Sequence, residues 1–166
     1  HKKQVLFEAA ELKRELADKP QYLIFLKGAG YSLSGAPVGD TRIYNDIDIL
    51  ADKKSIDAIE KRLCLIGWLS EELTEHDEKY YRKWAHEIPP LRHGKRGTIV
   101  DVHHNIVPII SGRQVDADKF AKNSVTTKEG FQILSFAAMT LHSLIHLFFN
   151  EEVKKGYRDL IDIHTL

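Results

Sequence analysis

Residues 26–50, LKGAGYSLSGAPVGDTRIYNDIDIL, decide the fold prediction. They predict an apolar strand, a small glycine-rich turn, a turn or short helix, and a second apolar strand that carries two aspartates. On a strand, residues i and i+2 share a face, so Asp46 and Asp48 project together while Ile47 and Ile49 enter a core. Two carboxylates beside a turn with free backbone N–H groups suit a hard cation and phosphates, which predicts a Mg²⁺-nucleotide site.

The length and composition predict one globular domain, or one domain with a small appendage. Of the 166 residues, 43% are hydrophobic and 29% charged, which allows a core without disulfides. The formal net charge is zero, so charge does not require nucleic acid as a partner. The sequence contains no apolar run of about 18 residues, so no membrane-spanning helix is predicted. The single cysteine, Cys64, excludes intrachain disulfides and favours a cytoplasmic location.

Hydrophobic periodicity indicates an α+β fold. A mixed domain is predicted over residues 1–112 and a C-terminal helical section over residues 113–166. A capping-box pattern at residues 126–129 predicts a helix start. The chain begins with His1 and ends within a helical pattern at Leu166, which is compatible with a fragment of a longer protein. The predicted helices cover residues 3–17, 55–66, 133–149 and 151–166, and the predicted strands cover residues 22–26, 44–50, 68–73, 80–86 and 98–106.

A third carboxylate follows on the strand predicted at residues 98–106. Asp101 and His103 share one face of that strand, whereas His104 points to the other. Apolar neighbours would bury these strands, so ionised carboxylates there need a partner, and a metal ion supplies one. Asp46 and Asp48 with Asp101 form the carboxylate set that two-metal phosphoryl or nucleotidyl transfer requires.

These motifs resemble the DNA polymerase β-like nucleotidyltransferase superfamily. The shared signature is an apolar strand with a glycine-rich turn, then an Arg, then D-I-D, then an acidic residue on a later strand. More closely, LKGAG, RIYNDIDIL, HEIPPLRH, IVDVHHNI and the turn at Gly67 and Trp68 resemble its uncharacterised bacterial nucleotidyltransferase family. The same segment also resembles abortive-infection nucleotidyltransferases of the antitoxin type. The resemblance is strongest over about residues 20–110.

The resemblance implies a fold, an activity and cofactors. The implied fold is the polymerase β-like nucleotidyltransferase fold, a mixed sheet with flanking helices, here followed by C-terminal helices. The implied reaction transfers a nucleoside monophosphate from a Mg²⁺-bound (or Mn²⁺-bound) NTP, such as ATP, to a hydroxyl acceptor on a small molecule, a protein or an RNA. Asp46, Asp48 and Asp101 would be the catalytic residues and the metal ligands.

The resemblance also implies nucleotide-binding residues. Gly28 and Gly30 would let backbone N–H groups approach the phosphates, and the Ser32 hydroxyl would bind one of them. Lys27 and Arg42 bracket this segment as cations suited to phosphate charge. For these two, the alternatives are a solvated lysine at a strand end and an arginine paired with an aspartate.

His103 is a further candidate ligand of metal or acceptor, and its alternative is a structural, hydrogen-bonded histidine.

Two other functions remain open. The usual Gly-Ser pair is replaced by Gly28 and Ala29, which favours a catalytically weak or inactive nucleotide-binding module, or an antitoxin-like partner protein. A metal hydrolase would instead combine two groups of residues. Its ligands would come from Asp101, His103 and His104, together with His142 and His146, which lie four residues apart on one predicted helix.

Overall fold

The computed structural model describes residues 2–41, 46–70, 72–113, 115–149 and 156–166. The described strands are β1 (Leu23–Phe25), β2 (Asp46–Ala51), β3 (Trp68–Ser70), β4 (Leu91–His93), β5 (Ile99–His103), β6 (Ser124–Thr126) and β7 (Gln132–Leu134). They form one seven-stranded mixed sheet in the order β3-β4-β5-β2-β1-β7-β6. At its centre, β2 pairs parallel with β5 and antiparallel with β1.

Helices flank this sheet. The described α-helices are α1 (Lys2–Glu15), α2 (Lys27–Ser34), α3 (Pro37–Thr41), α4 (Ile56–Leu65), α5 (Glu75–Lys83), α6 (Ala117–Ala121), α7 (Phe136–Phe149) and α8 (Gly156–Thr165), with short 3₁₀ turns at Lys53–Ser55 and Ile109–Ser111. No helix among the described residues is long and apolar enough to cross a membrane. The predicted combination of a mixed sheet, flanking helices and C-terminal helices is therefore present.

The core forms where the predicted periodicities meet. In α1, Val5 and Leu12 lie on one face at helical spacing and are buried. They belong to the same hydrophobic core as Ile47 and Ile49 of β2, whose alternation sends them away from the aspartates. Each such buried aliphatic side chain contributes roughly 1.5–3 kcal/mol to folding.

The predictions for residues 80–86 and 126–129 are wrong. The segment predicted as a strand at residues 80–86 belongs mainly to α5, whose acidic first turn and basic last turn match the helix dipole. The Thr74 hydroxyl caps this helix by accepting a hydrogen bond from the Asp77 N–H at 3.1 Å. The capping-box pattern at residues 126–129 does not start a helix either, because it lies in the turn that joins β6 to β7.

The β6–β7 hairpin gives the C-terminal section a part in the sheet. β7 pairs parallel with β1, which is the strand that leads into α2. The section after residue 112 thus contributes strands as well as helices, and a domain boundary at that point stays a prediction.

Gly30 allows α2 to pack closely against β1. A Cβ atom at this position would lie 2.7 Å from the Phe25 carbonyl oxygen, which is backbone and cannot move aside cheaply. We expect Gly30→Ala to lower the free energy of unfolding by about 1–3 kcal/mol, as overpacking does. Urea denaturation followed by circular dichroism measures this loss. The matched control is Gly94→Ala, whose new Cβ would have Gly67 O at 3.8 Å as its neighbour. Equal losses in the two variants would contradict the packing argument.

Candidate metal and nucleotide site

The parallel pairing of β2 with β5 assembles the predicted carboxylates. In this register Asp48 lies directly beside Asp101, and Leu50 lies beside His103. Because side chains alternate along each strand, Asp46, Asp48, Asp101 and His103 share one face of the sheet. Asp46 is exposed at the start of β2, Asp101 is half-buried and Asp48 is buried.

Asp48 is held by an ammonium group and an imidazole ring. The Lys27 ammonium donates to Asp48 Oδ1 at 2.7 Å, and His103 Nε2 lies 2.9 Å from the same oxygen. Burial disfavours the charged carboxylate, but Lys27 and His103 outweigh this effect and hold the pKa of Asp48 well below its ordinary value. Asp48 is therefore ionised at neutral pH, which is the state that a metal ligand needs.

The end of β1 determines where the Lys27 side chain lies. The Leu26 N–H donates to the Asp48 carbonyl at 2.9 Å, which fastens this strand end to β2. Lys27 follows with φ at 41°, in the left-handed region that non-glycine residues rarely adopt. Its ammonium is largely buried on Asp48, so the alternative of a solvated lysine at a strand end is wrong.

Glu87 is a site residue that sequence reasoning missed. Its Oε2 lies 3.1 Å from His103 Nδ1, so the imidazole ring lies between two carboxylates. Burial disfavours the charged imidazolium, but Glu87 and Asp48 outweigh this effect and raise the pKa of His103. The sequence HEIPP offered a signal for Glu87. It places an acidic residue between a histidine and an isoleucine, just before two prolines.

Asp101 supplies the test of whether a metal fits. Its Oδ1 is buried and has no hydrogen-bond partner among the described residues. Burial, together with the negative charges of Asp48 and Glu87, raises the pKa of Asp101 to about 7. A divalent cation would satisfy the orphaned oxygen and relieve the repulsion between carboxylates. The three aspartates offer the oxygen ligands that Mg²⁺ and Mn²⁺ take, so the chemistry of this donor set fits such an ion.

The predicted glycine-rich turn is instead the first turn of α2. Gly28 is buried within this helix, and the Gly30 N–H donates to Leu26 O at 2.9 Å as an ordinary helical bond. Helices leave their first N–H groups without intrahelical acceptors, so the start of α2 still offers donors to an anion. Antiparallel pairing of β1 with β2 puts this helix start beside Asp48.

Two further side chains, Ser32 and Arg42, were predicted to contact the phosphates. Ser32 is buried in the second turn of α2, and its hydroxyl donates to Gly39 O at 3.2 Å, a contact that joins α2 to α3. Arg42 lies outside the described residues.

The C-terminal helices lie against the Lys27 end of the site. Tyr31 of α2 and Ser143 of α7 share a hydrogen bond of 2.6 Å between their hydroxyls. Farther along α7, His146 Nδ1 lies 2.9 Å from Asp159 Oδ2, and this contact joins α7 to α8. His142 is buried, and burial lowers its pKa well below the ordinary value. These helices therefore form part of the site wall.

The metal-hydrolase set is not assembled. Within the described ranges, the group of three ligand side chains close enough to share one ion is His86, Glu87 and His103. It includes neither His104 nor the α7 histidines, and it includes none of the three aspartates, which the strand register places on one face without bringing their oxygens this close together.

A cleft opens beside Asp46. It has a volume of about 340 Å³ and lies between α1 and the β4–β5 connection. Arg92 and Arg96 line it, and Arg96 forms a two-pronged ion pair with buried Glu8 at 2.7 and 2.9 Å. The cleft thus offers room next to the exposed aspartate, and the charges that line it, two arginines with Glu8 and Asp46, balance.

The Lys27–Asp48 pair should be a large contributor to stability. Lys27→Met leaves a buried carboxylate with one partner fewer, and we expect the free energy of unfolding to fall by about 3 kcal/mol. Adding Asp48→Asn should recover part of this loss, because the uncompensated charge is then removed. Urea denaturation in metal-free buffer measures the cycle, with Lys122→Met as the exposed control. A Lys27→Met variant as stable as that control would show that the pair is not buried in solution.

Asp101 should make metal-free stability depend on pH. Its folded-state pKa of about 7 lies above the ordinary 3.8, so the unfolded chain loses this proton first. Stability is therefore lost as pH rises from about 4 to about 7, and the penalty is complete above that range. Asp101→Asn should be more stable than the unmodified protein by on the order of 2 kcal/mol at about pH 8, and equal to it near pH 4.

Thermal melts across this pH range measure the difference. The control is Asp57→Asn, at an exposed position of α4. A stability gain for Asp101→Asn that does not change with pH would show that the pKa of Asp101 is not raised in the folded protein.

Comparisons with known proteins agree with this architecture. A search of curated proteins finds no match. The crystal structure of JHP933 from Helicobacter pylori is similar in fold, with a TM-score of 0.50 and 16% sequence identity. The match covers 97% of this chain and 65% of that chain. A family model described as an uncharacterised nucleotidyltransferase matches residues 1–166, beyond the segment where the sequence resemblance was strongest. The predicted fold class and family are confirmed: the chain belongs to this nucleotidyltransferase family.

Proposed function

We propose that this protein transfers a nucleoside monophosphate from a metal-bound NTP to a hydroxyl acceptor and releases pyrophosphate. The observation that carries the proposal is the grouping of three aspartates on adjacent parallel strands, with the orphaned oxygen of Asp101 among them. Membership of a nucleotidyltransferase family supports the general class of reaction.

Each site residue has a role in the proposed reaction. Asp46, Asp48 and Asp101 would hold Mg²⁺ or Mn²⁺, which supplies charge neutralisation on the triphosphate when bound. The start of α2, with Gly28, would bind phosphate oxygens through backbone N–H groups. Lys27 would balance the charge of the triphosphate beside Asp48.

The chemical step forms one bond and breaks one. The acceptor oxygen attacks the α-phosphorus, and the bond from this phosphorus to the pyrophosphate oxygen breaks. Asp101 would help to take the proton of the acceptor hydroxyl, because a carboxylate kept ionised by the bound metal and placed beside Asp48 can accept it. The cleft beside Asp46 is a suitable place for the acceptor.

The test uses label transfer. The purified protein is incubated with each α-³²P-labelled NTP, Mg²⁺ or Mn²⁺ and a cell extract, so that the labelled product identifies nucleotide and acceptor class. Asp46→Asn is the informative variant, because Asp46 is exposed and its loss should leave the fold intact. We expect its rate of transfer to fall at least ~100-fold, while Asp57→Asn transfers normally.

Two outcomes would contradict this proposal. Transfer by Asp46→Asn at the normal rate would show that this aspartate is not a metal ligand. Binding of NTP without any labelled product would instead favour the nucleotide-binding module or antitoxin-like partner, for which the engaged Ser32 hydroxyl is an argument.

A further inference from the structure

We propose that His86, Glu87 and His103 form a second metal site, which binds Zn²⁺ or a chemically similar divalent ion through two imidazole nitrogens and one carboxylate oxygen. One ligand atom from each residue lies within 4.8 Å of the others. This site differs from the three-aspartate site in its donor atoms, and its argument does not depend on nucleotidyl transfer.

The distance between Glu87 and His103 suits a shared ion. Glu87 Oε2 and His103 Nδ1 are 3.1 Å apart. Two ligands bonded to Zn²⁺ at about 2.0–2.2 Å with a tetrahedral angle lie about 3.4 Å apart. The pair can therefore bind one ion after a movement of a few tenths of an ångström, and the His86 ligand atom, which lies within 4.8 Å of both, would have to move closer.

His86 provides the independent sign of a missing partner. Its Nδ1 is buried and has no hydrogen-bond partner within the described part of the chain. A buried nitrogen without a partner lowers the stability of the fold. The His86 ring also contacts the His103 ring, with centroids 5.1 Å apart. A metal bond in this region would satisfy a group that no described hydrogen bond satisfies.

The surroundings already have the form that histidine ligands require. Asp48 Oδ1 lies 2.9 Å from His103 Nε2, so it can accept the proton of that nitrogen and leave the Nδ1 lone pair for a metal. Such a carboxylate behind a histidine ligand orients the ring and raises its basicity.

Backbone contacts keep the two ligand segments in place. The His104 N–H donates to His86 O at 2.8 Å, and the Ile88 N–H donates to Val102 O at 3.1 Å. An isolated bridge also joins Glu87 to His103. Ligands on two segments tied together in this way are preorganised before an ion arrives.

The donor set selects the ion. Two imidazoles and one carboxylate favour Zn²⁺, Co²⁺ or Ni²⁺, whereas Mg²⁺ prefers oxygen ligands such as the three aspartates. Because Asp48 belongs to one site and hydrogen-bonds a ligand of the other, an ion at His103 would also hold the Asp48 carboxylate in its orientation.

The experiment measures metal binding rather than activity. The complete chain is stripped with a chelator and titrated with Co²⁺, whose visible d–d bands report nitrogen ligands in a site of low coordination number. We expect one equivalent to produce these bands and Zn²⁺ to abolish them. His86→Gln and Glu87→Gln should each weaken Zn²⁺ binding by at least about 10-fold, measured by competition with a chromophoric chelator.

Three controls separate this site from other binding. His104→Gln removes a neighbouring histidine outside the cluster and should bind Zn²⁺ normally. His76→Gln removes an exposed histidine and detects surface binding. Asp46→Asn should retain Zn²⁺ binding even where Mg²⁺-nucleotide binding is lost, so failure of this proposal and failure of the proposed function give different results.

The proposal is overturned by either of two results. One is the absence of a Co²⁺ spectrum, which would leave the cluster as an ion-pair network around a protonated His103. The other is unchanged Zn²⁺ affinity in Glu87→Gln, an isosteric variant that should keep the fold even where His86→Gln does not.

Discussion

The buried negative charge of Asp48 is the constraint on which the rest of the site depends. An unpaired carboxylate at this depth would cost several kcal/mol, so the fold must bring cationic groups to it. It does so from two directions, with Lys27 from the end of β1 and His103 from β5, both on the same oxygen. The left-handed backbone of Lys27 is a local cost that this arrangement offsets.

Further ionisable groups surround Asp48 Oδ1. His103 turns its second nitrogen to Glu87, while Asp101, beside Asp48 in the register, has a buried oxygen without a hydrogen-bond partner in the described part of the chain. The metal-free site is thus balanced around Asp48 and unbalanced around Asp101. This asymmetry follows from the parallel pairing of β2 and β5, which places two carboxylates side by side.

The errors in the sequence-based prediction have definite causes. The α5 segment contains aromatic residues that favour strands, but the Thr74 cap and the charges at the helix ends favour a helix. The β6 and β7 strands are three residues long, which is too short for hydrophobic alternation to show. They pair with each other as a hairpin, and β7 also pairs with β1. No local pattern encodes this contact with β1.

The sequence by itself determined the strands that carry the aspartates and the shared face of Asp46 and Asp48, because a period of two is a local property of strands. The place of Asp101 beside Asp48 depends on the pairing of β2 with β5, which the tertiary structure decided. The sequence also carried the motifs that identify the family. Only the tertiary structure decided that Lys27 neutralises Asp48 and that Glu87 and His86 join His103. Those contacts link residues of separate elements, and their burial, which decides which charges must pair, exists only once the chain is folded.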